Sequence, residues 1–243
     1  MFAISIKNLV KRFGNRVAVD NLCLDINEGE LLALLGMNGA GKTTTLNILS
    51  GLLTADDGDA FVFGESIKTN RQKIKGLLNM SLQETAVAEN LTVKENLEFV
   101  CRVYGFDKNQ TATMVDEIMS QFALSDRQKD KASKLSGGYK RRLSIAMALV
   151  TKPKVVFLDE PTLGLDVVAR RELWQVIKEL KGKTTIILTT HYLEEAESLA
   201  DRIAVMKDGR LCGLGGADEL KIQTNTTKFE DAFLSLCGVE VQI

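Results

Sequence analysis

Gly36-Met37-Asn38-Gly39-Ala40-Gly41-Lys42-Thr43 satisfies the pattern G-x-x-x-x-G-K-[ST] in full. Glycines at these positions let the backbone curl so that successive N–H groups point at phosphate oxygens, and the helix opening there adds its dipole. Lys42 is then expected to reach the β- and γ-phosphates of a nucleotide, and the Thr43 hydroxyl to ligate Mg²⁺. Val155-Val156-Phe157-Leu158-Asp159-Glu160 reads as a buried strand ending in two acids. Carboxylates after a parallel strand emerge at the sheet edge where α/β folds bind ligands. Neighbouring strand residues point to opposite sides. Asp159 is therefore expected toward the metal, and Glu160 toward the attacking water as general base. His191 follows the β-rich run Thr184–Thr190, at another strand end, where an imidazole could donate to the γ-phosphate. A glycine-rich turn, an acidic strand end and an exposed histidine are each commonplace alone. In this combination they indicate nucleotide hydrolysis.

Strands and helices must place these groups. Residues 2–8 and Leu22–Ile26 read as strands separated by a turn at Gly14 and Asn15. Leu31–Leu35 is wholly apolar, as expected of a strand covered on both faces, and a helix should follow from Gly41. Phe61–Phe63 reads as part of a smaller antiparallel layer, and the stretch from about 84 to 134 as helical. Thr92 and Glu95 form a capping box for a helix that stops at Gly105, and a second helix spans about Thr111–Phe122. Ser136 suits the N-cap of a helix through Leu143, Ala146 and Leu149. The strands Val155–Leu158 and Thr184–Thr190 flank a helix at Val167–Leu180, and Lys207-Asp208-Gly209 should turn a hairpin. Gln223–Lys228 reads as a linker to a final short helix. The alternation predicts an α/β fold: a P-loop core with a mostly parallel sheet, an antiparallel β subdomain and an inserted helical subdomain.

Composition is that of an ordinary globular chain: 243 residues, 45% apolar and 26% charged. A net charge of −1 gives no global electrostatic case for nucleic acid or an anionic membrane. Cys23, Cys101, Cys212 and Cys237 lack a C-x-x-C pair, and one histidine cannot complete a zinc cluster with them. Each cysteine lies among apolar residues and is expected to be a small buried hydrophobe. The N-terminus has no signal-peptide pattern, and no apolar run approaches the roughly 20 residues that span a bilayer. A cytoplasmic protein is expected, without a covalent membrane anchor, meeting a membrane only through a partner.

Leu135-Ser136-Gly137-Gly138-Tyr139, ahead of the acidic strand end, resembles the signature of ABC-type ATPases. The family's other parts follow in order: the P-loop, a Q-loop glutamine at Gln83, Asp159-Glu160, a D-loop at Gly164-Leu165-Asp166, and a switch histidine at His191. The resemblance covers essentially the whole chain and implies a single domain over 1–243. Within it, 1–83 and 155–220 form the core with its antiparallel subdomain, 84–154 the helical subdomain, and 221–243 a short terminal helix or tail. It implies ATP and Mg²⁺ held by Gly36 to Thr44, with Thr43, Gln83 and Asp159 at the metal. Lys42, Gln83, Glu160 and His191 would serve hydrolysis, and Phe13 would stack on adenine or else lie in the core. Ser136, Gly137, Gly138 and Asp166 would contact ATP held by a second subunit arranged head to tail. Tyr139 replaces the commoner Gln, whose amide that contact does not need.

Lys140, Arg141 and Arg142 sit in the early turns of a helix, where cations cost roughly 0.3–1 kcal/mol each when exposed. Either that end faces phosphate from another subunit, or the charges are solvated or paired. Residues 90–105, 190–210 and 229–236 resemble a narrower group, the ATP-binding subunits of ABC-2-type exporters. The resemblance implies an integral-membrane partner, a second ATPase subunit, peripheral attachment to the inner face of the cell membrane, and no nucleic acid. The alternative is a non-transport ABC ATPase of DNA repair or translation. Such proteins carry long insertions, zinc modules or paired nucleotide domains, and the chain shows none of these patterns. The chain also ends before the further domain of some sugar-importer ATPases, so export is the expectation.

Overall fold

The computed structural model describes residues 1–239. The last four residues of the expected 221–243 tail lie outside the described residues.

Two sheets form the frame. The first is antiparallel, in the order β2-β1-β4-β5, from β1 (Phe2–Phe13), β2 (Arg16–Asn27), β4 (Asp57–Val62) and β5 (Glu65–Ser66). The second runs β10-β9-β3-β8-β7-β6, from β3 (Leu31–Leu35), β6 (Leu78–Ser81), β7 (Val155–Asp159), β8 (Thr185–Thr190), β9 (Arg202–Lys207) and β10 (Arg210–Gly215). Its pairs are parallel except the β9–β10 hairpin, which turns at Asp208 and Gly209, both at positive φ.

β1 and β2 run twelve residues each, well past the alternating stretches legible in sequence. The pairing slips between Ile6 and Leu9, where Asn8 takes a φ of 47° beside Cys23. A bulge of this kind breaks the two-residue period by one residue. That explains why alternation fades while the ladder continues. β6 escaped the sequence reading because polar Asn79 interrupts it; its amide donates to Ala148 O at 2.9 Å and Thr151 Oγ1 at 2.8 Å.

Helices α1 (Lys42–Leu49) and α2 (Arg71–Lys75) lie on the side of the antiparallel sheet. The stretch 84–91 is irregular where a helical reading was expected, and α3 (Val93–Val103) starts at the Thr92–Glu95 capping box. α4 (Lys108–Gln121) begins three residues before Thr111, because Asp107 and Gln110 form a second capping box. α5 (Gly137–Leu149), α6 (Val167–Glu179), α7 (Leu193–Leu199), α8 (Ala217–Gln223) and α9 (Phe229–Leu236) complete the layer.

The strands of the second sheet divide their side chains between two cores. Leu31, Ala33 and Leu35 join one that includes α3 to α6 and α9, while Leu32 and Leu34 join Ile4, Leu24, Leu46 and Phe157 in the other. Each fully buried leucine contributes about 1.5–3 kcal/mol, and together they hold the strand ends in fixed positions. α9 seats Phe229 and Phe233 against the core that also holds Ala196 and Leu199 of α7. Cys101 and Cys237 are buried, as expected, but Cys23 is exposed, because it lies on the outward phase of β2, and Cys212 is half-buried.

Candidate nucleotide site

Gly36 leaves β3 against the chain of β9: a Cβ there would stand 2.4 Å from Met206 O. Gly41, at φ 101°, passes Ala18 O equally closely. No L side chain fits either place, so the loop requires glycine where it passes β9 and β2. Lys42 opens α1, and its ammonium donates to Gly36 O at 2.7 Å and Met37 O at 3.3 Å, with Glu160 Oε1 at 3.8 Å. Burial pulls the Lys42 pKa below its ordinary value, against the attraction of Glu160 and Asp159.

Asp159 closes β7 and is 1% exposed. Its Oδ1 accepts from Thr43 Oγ1 at 3.1 Å and from Thr189 Oγ1 at 2.5 Å. Glu160 is not the next strand residue pointing the other way, as expected. It lies past the strand at φ 47°, and this left-handed step returns its carboxylate to the same cleft. Its N–H is held by Thr189 Oγ1 at 3.0 Å and Thr189 O at 3.2 Å. Glu160 Oε2 meets His191 Nδ1 at 2.8 Å. The cluster Lys42–Thr43–Asp159–Glu160–His191 is therefore contiguous.

A cleft of about 520 Å³ surrounds it, lined by Asn38 to Thr44 along with Phe13, Gln83, Glu160 and His191. Phe13 is 51% exposed at the end of β1, with the Lys11 ammonium over its ring. This excludes the core reading. Gln83 is exposed just past β6. Arg16 also lines the cleft and donates to Gly39 O at 3.2 Å; nothing in sequence set it apart.

Ser136, Gly137 and Gly138 line a different groove, together with Tyr139, Gly164, Leu165 and Asp166. Ser136 caps α5, accepting from Tyr139 N at 3.5 Å, and Asp166 caps α6, accepting from Val168 N and Ala169 N at 2.9 Å. Tyr139 lies between two guanidinium groups, Arg127 at 5.6 Å and Arg142 at 5.4 Å from the ring centre.

The three cations after Tyr139 are all engaged within the chain. Lys140 pairs with Glu89, Arg142 pairs with Glu172, and Arg141 is buried. Within the chain, ion pairs hold Lys140 and Arg142, and backbone carbonyls hold Arg141. Sequence reasoning missed Arg141, Thr189 and the buried Glu195. Glu195 accepts from Thr162 Oγ1 at 2.9 Å and Trp174 Nε1 at 3.0 Å. A buried arginine within a basic run, or a threonine within a β-rich run, carries no local mark of its role.

The model of the ABC transporter family matches residues 19–163. The chain is 39% identical over 229 residues to the daunorubicin resistance ATP-binding protein DrrA3 of Streptomyces coeruleorubidus, covering 94% of this chain and 72% of that protein. It is 41% identical over 216 residues to the phospholipid-transporting ATPase ABCA3 of Homo sapiens, covering 86% of this chain but only 13% of the much longer relative. A solved ATP-binding subunit of an ABC transporter superposes with a TM-score of 0.86 at 25% identity, covering 96% of this chain and 99% of that one.

Proposed function

The chain belongs to the ABC transporter family as an ATP-binding, ATP-hydrolysing subunit, and from that premise we propose that two copies close on two ATP molecules to drive export through a separate membrane subunit. One observation carries this reading. The catalytic cluster and the signature serine lie in two different grooves of the same chain. Ser136 can therefore serve ATP only in a site that another copy supplies.

In the proposed reaction the P-loop amides and Lys42 bind the β- and γ-phosphates. Thr43 and Asp159 present a hydroxyl and a carboxylate whose oxygens already converge within 3.1 Å, a hard donor set that suits Mg²⁺, with Gln83 at the rim of the cleft. The metal would neutralise phosphate charge. Glu160 accepts a proton from water as its oxygen attacks the γ-phosphorus and the bond to the β-phosphate oxygen breaks. His191 orients Glu160 through Nδ1, and its Nε2 would face the γ-phosphate. Phe13 offers its exposed ring to adenine.

Phe99 and Val103 lie one turn apart on α3 and are exposed, as is Leu82 beside Gln83. Tyr104, which follows α3, hydrogen-bonds Asn79 of β6 and so ties the two regions together. This apolar face next to the Q-loop supports contact with a membrane subunit on the inner face of the membrane. Among the described residues no helix is long and apolar enough to cross a membrane itself. Export, more than import, is favoured by the resistance and lipid-transport functions named for the relatives.

The test uses Glu160→Gln, which should bind Mg-ATP, fail in single-turnover hydrolysis and accumulate as a dimer in light scattering. Adding Ser136→Ala should return it to monomer with ATP still bound. A monomer that loses ATP with Ser136→Ala would sink the assignment of that serine to a second copy's nucleotide.

A further inference from the structure

Arg141 lies in α5, five residues after the signature serine, and is 3% exposed. A guanidinium has five N–H donors in a fixed fork. Here Nε donates to Pro161 O at 2.8 Å, Nη1 to Leu82 O at 2.5 Å and Gln83 O at 3.1 Å, and Nη2 to Asp159 O at 2.6 Å and Glu160 O at 3.0 Å. Five donors thus meet five backbone carbonyls, with no carboxylate among them. Burial pulls the guanidinium's pKa down, and the nearby charges of Asp159, Glu195 and Glu160 oppose that pull.

The identity of those carbonyls gives the arrangement its meaning. They belong to the Q-loop and to the end of β7, whose side chains are assigned to the metal and to the attacking water. Glu160 holds a left-handed backbone that a non-glycine residue rarely adopts. Thr189 fixes its N–H side, and Arg141 fixes its carbonyl side. α5 begins at Ser136, so the helix that would touch one nucleotide is pinned to the residues that would hydrolyse the other.

We propose that Arg141 is a positioning residue that sets the backbone of Gln83 and Glu160 and transmits engagement of Ser136, in one site, to the general base of this chain's own site. The inference rests on the two-copy reading above. Charge alone cannot perform this role: a lysine has three donors on a point charge and cannot span five carbonyls.

The test is Arg141→Lys, with wild-type dimerisation and hydrolysis as the control; if the wild type neither dimerises with ATP nor hydrolyses it, the two-copy reading fails and not this inference. The expected result is a fall of about a hundredfold in single-turnover rate, the size that a misplacement of about 1 Å at a reacting group can cost. Monomer ATP affinity should be unchanged. Combining Arg141→Lys with Ser136→Ala should lower the rate little beyond the worse single variant, because the two act along one path. Wild-type turnover in Arg141→Lys, or strictly additive losses, would overturn the proposal. If Arg141→Lys does not fold, protein with native Arg141, labelled at arginine nitrogen, decides. The Arg141 Nε–H resonance should shift on ATP-driven dimerisation and stay put in Ser136→Ala; an unmoved wild-type signal would overturn the inference.

Discussion

Thr189→Val isolates one hydroxyl at the centre of the site. Thr189 is fully buried in β8; its Oγ1 donates to Asp159 Oδ1 at 2.5 Å and accepts from Glu160 N at 3.0 Å. Valine has nearly the same shape and neither capacity. Asp159 Oδ1 keeps Thr43 Oγ1 at 3.1 Å, and Glu160 N–H keeps the carbonyl of residue 189 at 3.2 Å, so neither group is wholly abandoned. A hydrogen bond to a charged group contributes about 1.5–3 kcal/mol, and the surviving partners place the loss near the lower half, about 2 kcal/mol. For a chain of this size that corresponds to a fall in Tm of about 4–8 °C. Turnover should fall about tenfold, since the carboxylate loses one of the two donors that fix its rotation. Thr189→Ser keeps the hydroxyl and loses one methyl, about 0.8 kcal/mol, and should retain turnover. The pair is read by thermal melting and by single-turnover phosphate release. A valine variant as active as wild type, or a serine variant as impaired as the valine, would refute the role of the hydroxyl.

Tyr139→Gln removes a ring flanked by Arg127 and Arg142, two contacts at about 0.5–1 kcal/mol each when exposed. The denaturation midpoint should drop accordingly while ATPase activity stays within about tenfold, a barrier shift of about 1.4 kcal/mol; a larger change in rate would mean that the ring itself serves the reaction. Burial pushes the Glu195 carboxyl above its ordinary range despite its hydrogen-bond donors. A raised folded-state pKa gives stability that is complete below about pH 4.5 and is lost as pH rises through the folded value. Glu195→Gln should therefore gain on wild type in denaturant midpoint from acid toward pH 8; a constant difference across that range would contradict the raised pKa.

The chemistry was largely legible because its residues are punctuated by glycines and strand ends. Gly36 to Thr43, Asp159, Glu160 and His191 announce themselves by type; Asn38 to Thr43, Glu160 and His191 line one cleft, and Asp159 accepts from Thr43 beside it. What stayed hidden has two physical causes. Bulges such as that at Asn8 shift the alternation by one residue, so the full length of β1 and β2 does not show as a period. Buried polar groups draw their meaning from distant backbone. Arg141 reads as one more surface cation until the carbonyls of residues 82, 83 and 159–161 surround it. The turn that returns Glu160 to the cleft is invisible for the same reason: its φ is imposed from outside the local sequence.

The order β9-β3-β8-β7-β6 has a practical consequence for anyone who would re-engineer this protein. The phosphate loop, His191, Glu160 and Gln83 each follow a separate strand, so the working groups form a single file, about 4.8 Å per step, along one rim of the sheet. Each place in the file can be exchanged by altering the residues just beyond one strand, while the apolar stretch behind it continues to support the fold. A combinatorial library confined to those four exits would sample altered chemistry on an intact scaffold. Variants would then differ by which step of the cycle they arrest, and trapped intermediates could be collected one strand at a time.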